Sequence, residues 1–188
     1  MKRSALVPRL VAAAALTAAA SFGPLTQLAG AGPAAPDVPD EISVDAGNKP
    51  FLVGHAEGVQ IYTCTIIPAG YAWGPSTPRA DLYDDSGKVI VTHFAGPSWQ
   101  AKDGSKVVAA RIAGVPGATG AIPWLKLGAT SATAGPDGAR LAGTTFIQRI
   151  NTAGGVAPSA NDCNAGTYGT VQEVPYTADY VFWKKTGN

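Results

Sequence analysis

"EVPYTADYVFWKK", residues 173–185, alternates two sets of side chains: Tyr176, Ala178, Tyr180 and Phe182 against Thr177, Asp179, Val181 and Trp183. Successive side chains of an extended strand point to opposite faces, so this period of two reads as β-structure with two distinct faces. Aromatic and β-branched residues suit a pleated, half-buried surface. A helix would need apolar positions recurring every three to four residues, and that spacing is missing here.

The same reading extends outward along the chain. "VQIYTCTI", residues 59–66, sets Val59, Ile61 and Thr63 against Gln60, Tyr62 and Cys64. "RADLYDDSGKVIVTHF", residues 79–94, reads as a hairpin, two alternating runs joined across Asp85-Ser86-Gly87. "SKVVAARIAG", "AIPWLKLGAT" and "ARLAGTTFIQRIN" read as further strands, and 23 glycines and 15 prolines supply the breaks between runs. This predicts an all-β domain of about eight or nine strands. Without βαβ alternation the sheet should be mostly antiparallel, and a barrel-like sandwich would also remove exposed edges. "GVPGATG", with glycines at 114, 117 and 120, is not a dinucleotide-binding fingerprint.

The N-terminal end reads differently. Lys2, Arg3 and Arg9 precede an Ala- and Leu-rich run from Leu10 to Ala20, and Ala29-Gly30-Ala31 fits the small-residue rule for signal peptidase. Residues 1–31 are therefore read as a secretory signal peptide. The apolar run is shorter than the roughly 20 residues a bilayer requires. Residues 32–41, rich in proline, read as an extended leader, and residues 42–188 as a single all-β domain. The full chain has 14 basic and 13 acidic residues, and three of the basic ones precede the cut, which turns a formal charge of +1 into −2. Such a balance speaks against a nucleic-acid or anionic-membrane partner, since no basic excess is left to offset phosphate charge. No membrane span is expected after cleavage. An exported chain meets an oxidising compartment, so Cys64 and Cys163 are expected to pair as a disulfide.

Several separated motifs carry a family resemblance. "GVQIYTC", "LYDDSGKVIVTHFAGPSWQAKDGSKVVA", "AIPWLKL", "FIQRINTAGGVAPSANDC" and "VPYTADYVFW" occur in order. Over roughly residues 39 to 184 the chain resembles a family of uncharacterised secreted proteins, catalogued as domain of unknown function 3455. The resemblance implies a family and no mechanism.

Few residues offer chemistry. The two histidines are His55 and His93. His93 shares a strand face with Val89 and Val91, which suits a core or rim residue, or a general base. His55 and Glu57 are two apart and would face one side of a strand. Together with His93 they make two histidines and one carboxylate, the smallest set expected to hold one divalent metal. Trp99 lies between the turn dipeptides Gly96-Pro97 and Asp103-Gly104. Buried, it would plug one end of the sheet; exposed, it would be a platform for a sugar ring or an apolar ligand. Gln148 and Arg149 interrupt an apolar strand and point to opposite faces, so one of them should face inward. The carboxylates Glu57, Asp81, Asp103, Glu173 and Asp179 show no spacing that favours a glycosidase pair.

These observations lead to a secreted binding or structural module with a small-molecule or glycan ligand, lined by His93, Trp99, Gln148 and Arg149. The alternative is an extracytoplasmic metal-dependent or acid/base enzyme built on His55, Glu57 and His93.

Overall fold

The computed structural model describes residues 32–187. The signal-peptide reading of residues 1–31 lies outside them. Nine strands follow in order: β1 Asn48–Ile67, β2 Gly70–Trp73, β3 Thr77–Tyr83, β4 Val89–Phe94, β5 Ser98–Ala101, β6 Lys106–Val115, β7 Trp124–Thr133, β8 Thr144–Gly154 and β9 Val171–Lys185. Every pairing is antiparallel, and β9 returns to pair with β1. Eight strands thus form a closed ring, β1-β3-β4-β5-β6-β7-β8-β9, and β2 is a short hairpin arm on the end of β1. The all-β, antiparallel expectation holds. Among the described residues, closure leaves only the four-residue β2 as an edge, which removes most of the surface on which another chain could add a strand.

The alternation in 173–185 sorts side chains as read. Tyr176, Ala178, Tyr180 and Phe182 point into the ring, where they join Leu82, Val91, Trp99, Val107 and Ile147. Val181 and Trp183 point outward and pack with Ile42 and Ile150 in a second, smaller cluster. Val38 and Val44 also pack there, so the chain around a short 3-10 turn at Asp40–Ile42 covers the outer face of the ring. Lys126 Nζ ties this cover down through Ser43 O and Asp45 Oδ1, each at 2.9 Å.

Two local readings change. Residues 98–101, between the two turn dipeptides, form a strand of their own, β5, because Trp99 pairs with His93 on one side and Val107 on the other. β1 begins at Asn48, well before Val59, because β9 pairs with it from Asn48 to Thr63. The ring can close this tightly because β1 and β3 carry small residues inside. At Gly58 a Cβ would run into the carbonyl of Arg79 and the side chain of Ala80, so only glycine fits there.

Cys64 and Cys163 form the expected disulfide, across a sequence separation of 99. It holds the β8–β9 connection against the C-terminal end of β1. Among the described residues no helix is long and apolar enough to cross a membrane.

Candidate functional site

The two ends of the ring differ. At the end formed by the β3–β4, β5–β6 and β7–β8 turns, Leu141 is fully buried in the main core. The other end is formed by the starts of β3, β5, β7 and β9 and the ends of β4, β6 and β8. It holds an open cavity of about 520 Å³. Its floor is aromatic. His93 stacks on Trp99 with ring centroids 4.2 Å apart and planes 5° apart, and Tyr180 meets both rings edge-on. Trp99 and Tyr180 are each 1% exposed and His93 3%. Such stacked and edge-to-face pairs add about 0.5–1.5 kcal/mol each beyond the area they bury. Leu125, Leu127, Pro75, Pro78 and Pro97 form apolar walls.

Register explains why these side chains meet. His93 is the cross-strand partner of Trp99, and Tyr180 that of Arg149. Arg149 is in turn opposite Leu125, and Arg111 opposite Leu127. All lie on inward positions near one end of the ring, so six strands deliver them to one place.

Polar groups in this mouth are incompletely partnered. His93 Nδ1 lies 2.9 Å from Ser98 O. A carbonyl only accepts, so Nδ1 carries the proton. Burial pushes the imidazole pKa down to about 3, with the nearby Arg149 cation adding to the effect. His93 is therefore neutral, and its Nε2 is an acceptor without a protein donor among the described residues. Burial likewise raises the phenol pKa of Tyr180 and of Tyr176, whose hydroxyls lie 3.3 Å apart. Gln60 Oε1 accepts from Ser76 at 2.7 Å, yet Gln60 Nε2 and Trp99 Nε1 are buried donors with no partner. A buried unmet donor costs about 1–3 kcal/mol, so native chains rarely leave two beside one cavity. Arg149 donates through Nε and Nη2 to Pro123 O, at 3.1 and 2.9 Å.

Three of the four expected lining residues, His93, Trp99 and Arg149, border this cavity. Gln148 does not. It faces outward under the N-terminal cover, fully buried, donating to Ile42 O at 2.8 Å and accepting from Trp183 Nε1 at 2.9 Å. Of the opposed pair Gln148 and Arg149, the arginine faces inward. Trp99 is buried, as a plug of the ring would be, and it is also the floor of the mouth.

The His55, Glu57 and His93 set is not assembled. His55 and Glu57 do share one face of β1, but it is the outer face, whereas His93 points inside. A closed sheet keeps the two faces apart, because successive residues alternate across it. Among the described residues no group of three or more His, Cys, Asp or Glu is arranged to hold a metal ion. His55 instead sits between two carboxylates, with Nδ1 2.7 Å from Asp179 Oδ1 and Nε2 3.0 Å from Asp85 Oδ1. Asn151 donates to the other Asp179 oxygen at 2.8 Å. The hydrogen bonds from Asp179 first, then Asp85, raise the His55 pKa above 6.5.

Gln60, Arg111 and Tyr180 belong to the mouth and were not singled out from the sequence. A signal existed for two of them. Gln60 alternates onto the face of Tyr62 and Cys64, and Arg111 onto that of Val107 and Ala109. A polar residue on an otherwise apolar strand face marks a buried network or a cavity wall.

No curated protein matches the chain, and no solved structure matches it either. One family model matches residues 45–184, most of the chain and nearly the whole ring. The protein belongs to the family described as Protein of unknown function (DUF3455).

Proposed function

We propose that the protein is an extracytoplasmic binding module whose mouth holds a small ligand. The observation that carries this reading is the mouth itself. A cavity of about 520 Å³ opens over an aromatic floor and is bordered by Gln60 and Trp99, the two residues with unpartnered buried donors. Ligand sites are concave, mostly apolar and of about 300–1,000 Å³, with a few converging polar groups. The signal-like N-terminus and the disulfide support an extracytoplasmic location.

Binding is favoured over acid/base chemistry by the state of His93. Burial that holds its pKa near 3 also makes its Nε2 a weak base at neutral pH. His93 serves better as a fixed acceptor than as a proton carrier.

The test is thermal unfolding of the oxidised protein against sugars, fatty acids, small organic acids and neutral aromatics. A ligand specific for the folded state adds about 2.7 kcal/mol at a hundredfold excess over Kd. Leu125→Trp should fill the mouth from its wall and abolish the shift. A shift that survives Leu125→Trp, or no shift with any compound, would reject the mouth as the site.

A further inference from the structure

We infer that the ligand of the mouth is a small organic anion, a carboxylate on a compact apolar body, held by Arg149 with Arg111 nearer the rim. This rests on the mouth being a ligand site, and names what it takes.

Charge is the first argument. Arg111 and Arg149 are the only charged residues bordering the cavity, and no Asp or Glu borders it among the described residues. Neither arginine has a carboxylate within salt-bridge distance there, whereas Arg79 pairs with Glu173 and Lys126 with Asp45. Acidic residues outnumber basic ones once Lys2, Arg3 and Arg9 are set aside. Two uncompensated cations on one apolar mouth therefore run against the balance of the chain. An anion placed between them would be attracted more strongly than at an open surface, because the walls and floor exclude water.

Hydrogen-bond demand is the second argument. Apart from Nε2 of His93, the unmet groups beside the cavity are donors: Trp99 Nε1 and Gln60 Nε2, both from side chains at most 3% exposed. Arg149 adds to this. Pro123 O engages Nε and Nη2, which fixes the guanidinium plane, and the guanidinium also faces the Tyr180 hydroxyl at the cavity floor, with no carboxylate to neutralise it. A carboxylate offers two oxygens and about four lone-pair positions, all acceptors. A guanidinium fork matches that shape, and charge-assisted bonds of this kind are the strong ones.

Shape is the third. The floor of His93, Trp99 and Tyr180 and the walls of Leu125 and Leu127 are apolar faces, suited to a ring or a short alkyl chain. The cationic groups stand above that floor, since Arg111 is exposed and Arg149 half-buried. A ligand would enter apolar end first and leave its carboxylate at the level of the arginines.

Isothermal titration with benzoate and with its neutral analogue benzyl alcohol tests this. Wild-type protein should bind benzoate at least about tenfold more tightly, the scale of one charge-assisted contact. Arg149→Gln and, independently, the rim variant Arg111→Gln should each bring benzoate down toward the affinity of the alcohol. Near-UV circular dichroism checks that both variants keep the aromatic floor. Equal binding of the two probes, unaffected by either arginine variant, overturns the anion and leaves the mouth as a ligand site. Benzoate binding that survives Leu125→Trp also overturns it, because the anion then sits elsewhere. Binding of neither probe to wild type overturns the anion, and the mouth itself then stands or falls by the thermal-unfolding panel.

Discussion

The two ends of the ring solve the same problem in opposite ways. At the closed end the turns satisfy their own polar groups. Asp103 accepts from the Ser105 hydroxyl at 2.5 Å and from the Arg140 amide at 2.8 Å, and the Leu141 amide donates to Ser105 Oγ at 3.0 Å. These bonds hold the β5–β6 turn to the β7–β8 loop and seat Leu141 in the core. At the open end, large aromatic side chains stop short of the rim, and two buried donors and one acceptor have no partner. An end that only had to close could have been built like the first. The proposed binding role rests on that difference.

The disulfide bears on that comparison most heavily, because it fastens the β8–β9 connection beside the mouth. Replacing Cys64 and Cys163 together by serine frees a loop with a sequence separation of 99. The chain-entropy model puts the loss at about 4–5 kcal/mol, to be read as a lower urea midpoint. Leu141→Ala probes the closed end. It removes a fully buried side chain and should cost about 2–5 kcal/mol, while leaving any ligand affinity of the mouth unchanged. A loss of affinity in Leu141→Ala would show that the two ends are not independent.

The two histidines give the smaller and subtler effects, and with opposite signs. His93 inside the mouth has a folded pKa of about 3 against 6.5 when unfolded, so the unfolded chain binds more protons between those values. Stability falls as pH drops through that window, by about 2 kcal/mol at pH 5. His93→Phe should flatten the slope. His55 on the outer face has its pKa raised by Asp179 and Asp85, so its contribution is full below pH 6.5 and fades as pH rises through the folded value. His55→Ala should remove that alkaline loss. With the His55 side chain 46% exposed, solvent screens the effect and keeps it the smallest of these. Equal slopes of one sign for both residues would contradict their placement on opposite faces.

Much of the fold is legible in particular residues. The alternation in 173–185 correctly separates the inward Tyr180 and Phe182 from the outward Val181 and Trp183. The Asp84–Lys88 turn follows from the polar, Gly-containing break between two apolar runs, with Gly87 at φ 77°. The site was legible only in part. Spacing places Gln148 and Arg149 on opposite faces, but whether the odd or the even set faces inward depends on the register with β7 and β9. His55 and His93 look alike as sequence neighbours of apolar residues, yet one lies outside the ring and one inside it.

Local chemistry therefore determined the strands, the turns, the all-β class and the candidate disulfide, because period, β-propensity and turn residues act over a few positions. Only the tertiary structure decided the mouth. Closing the ring brings β4, β5, β6, β8 and β9 together across long stretches of chain. The meeting of His93, Trp99, Arg111, Arg149 and Tyr180 is thus a consequence of register and closure, which no short window of sequence contains.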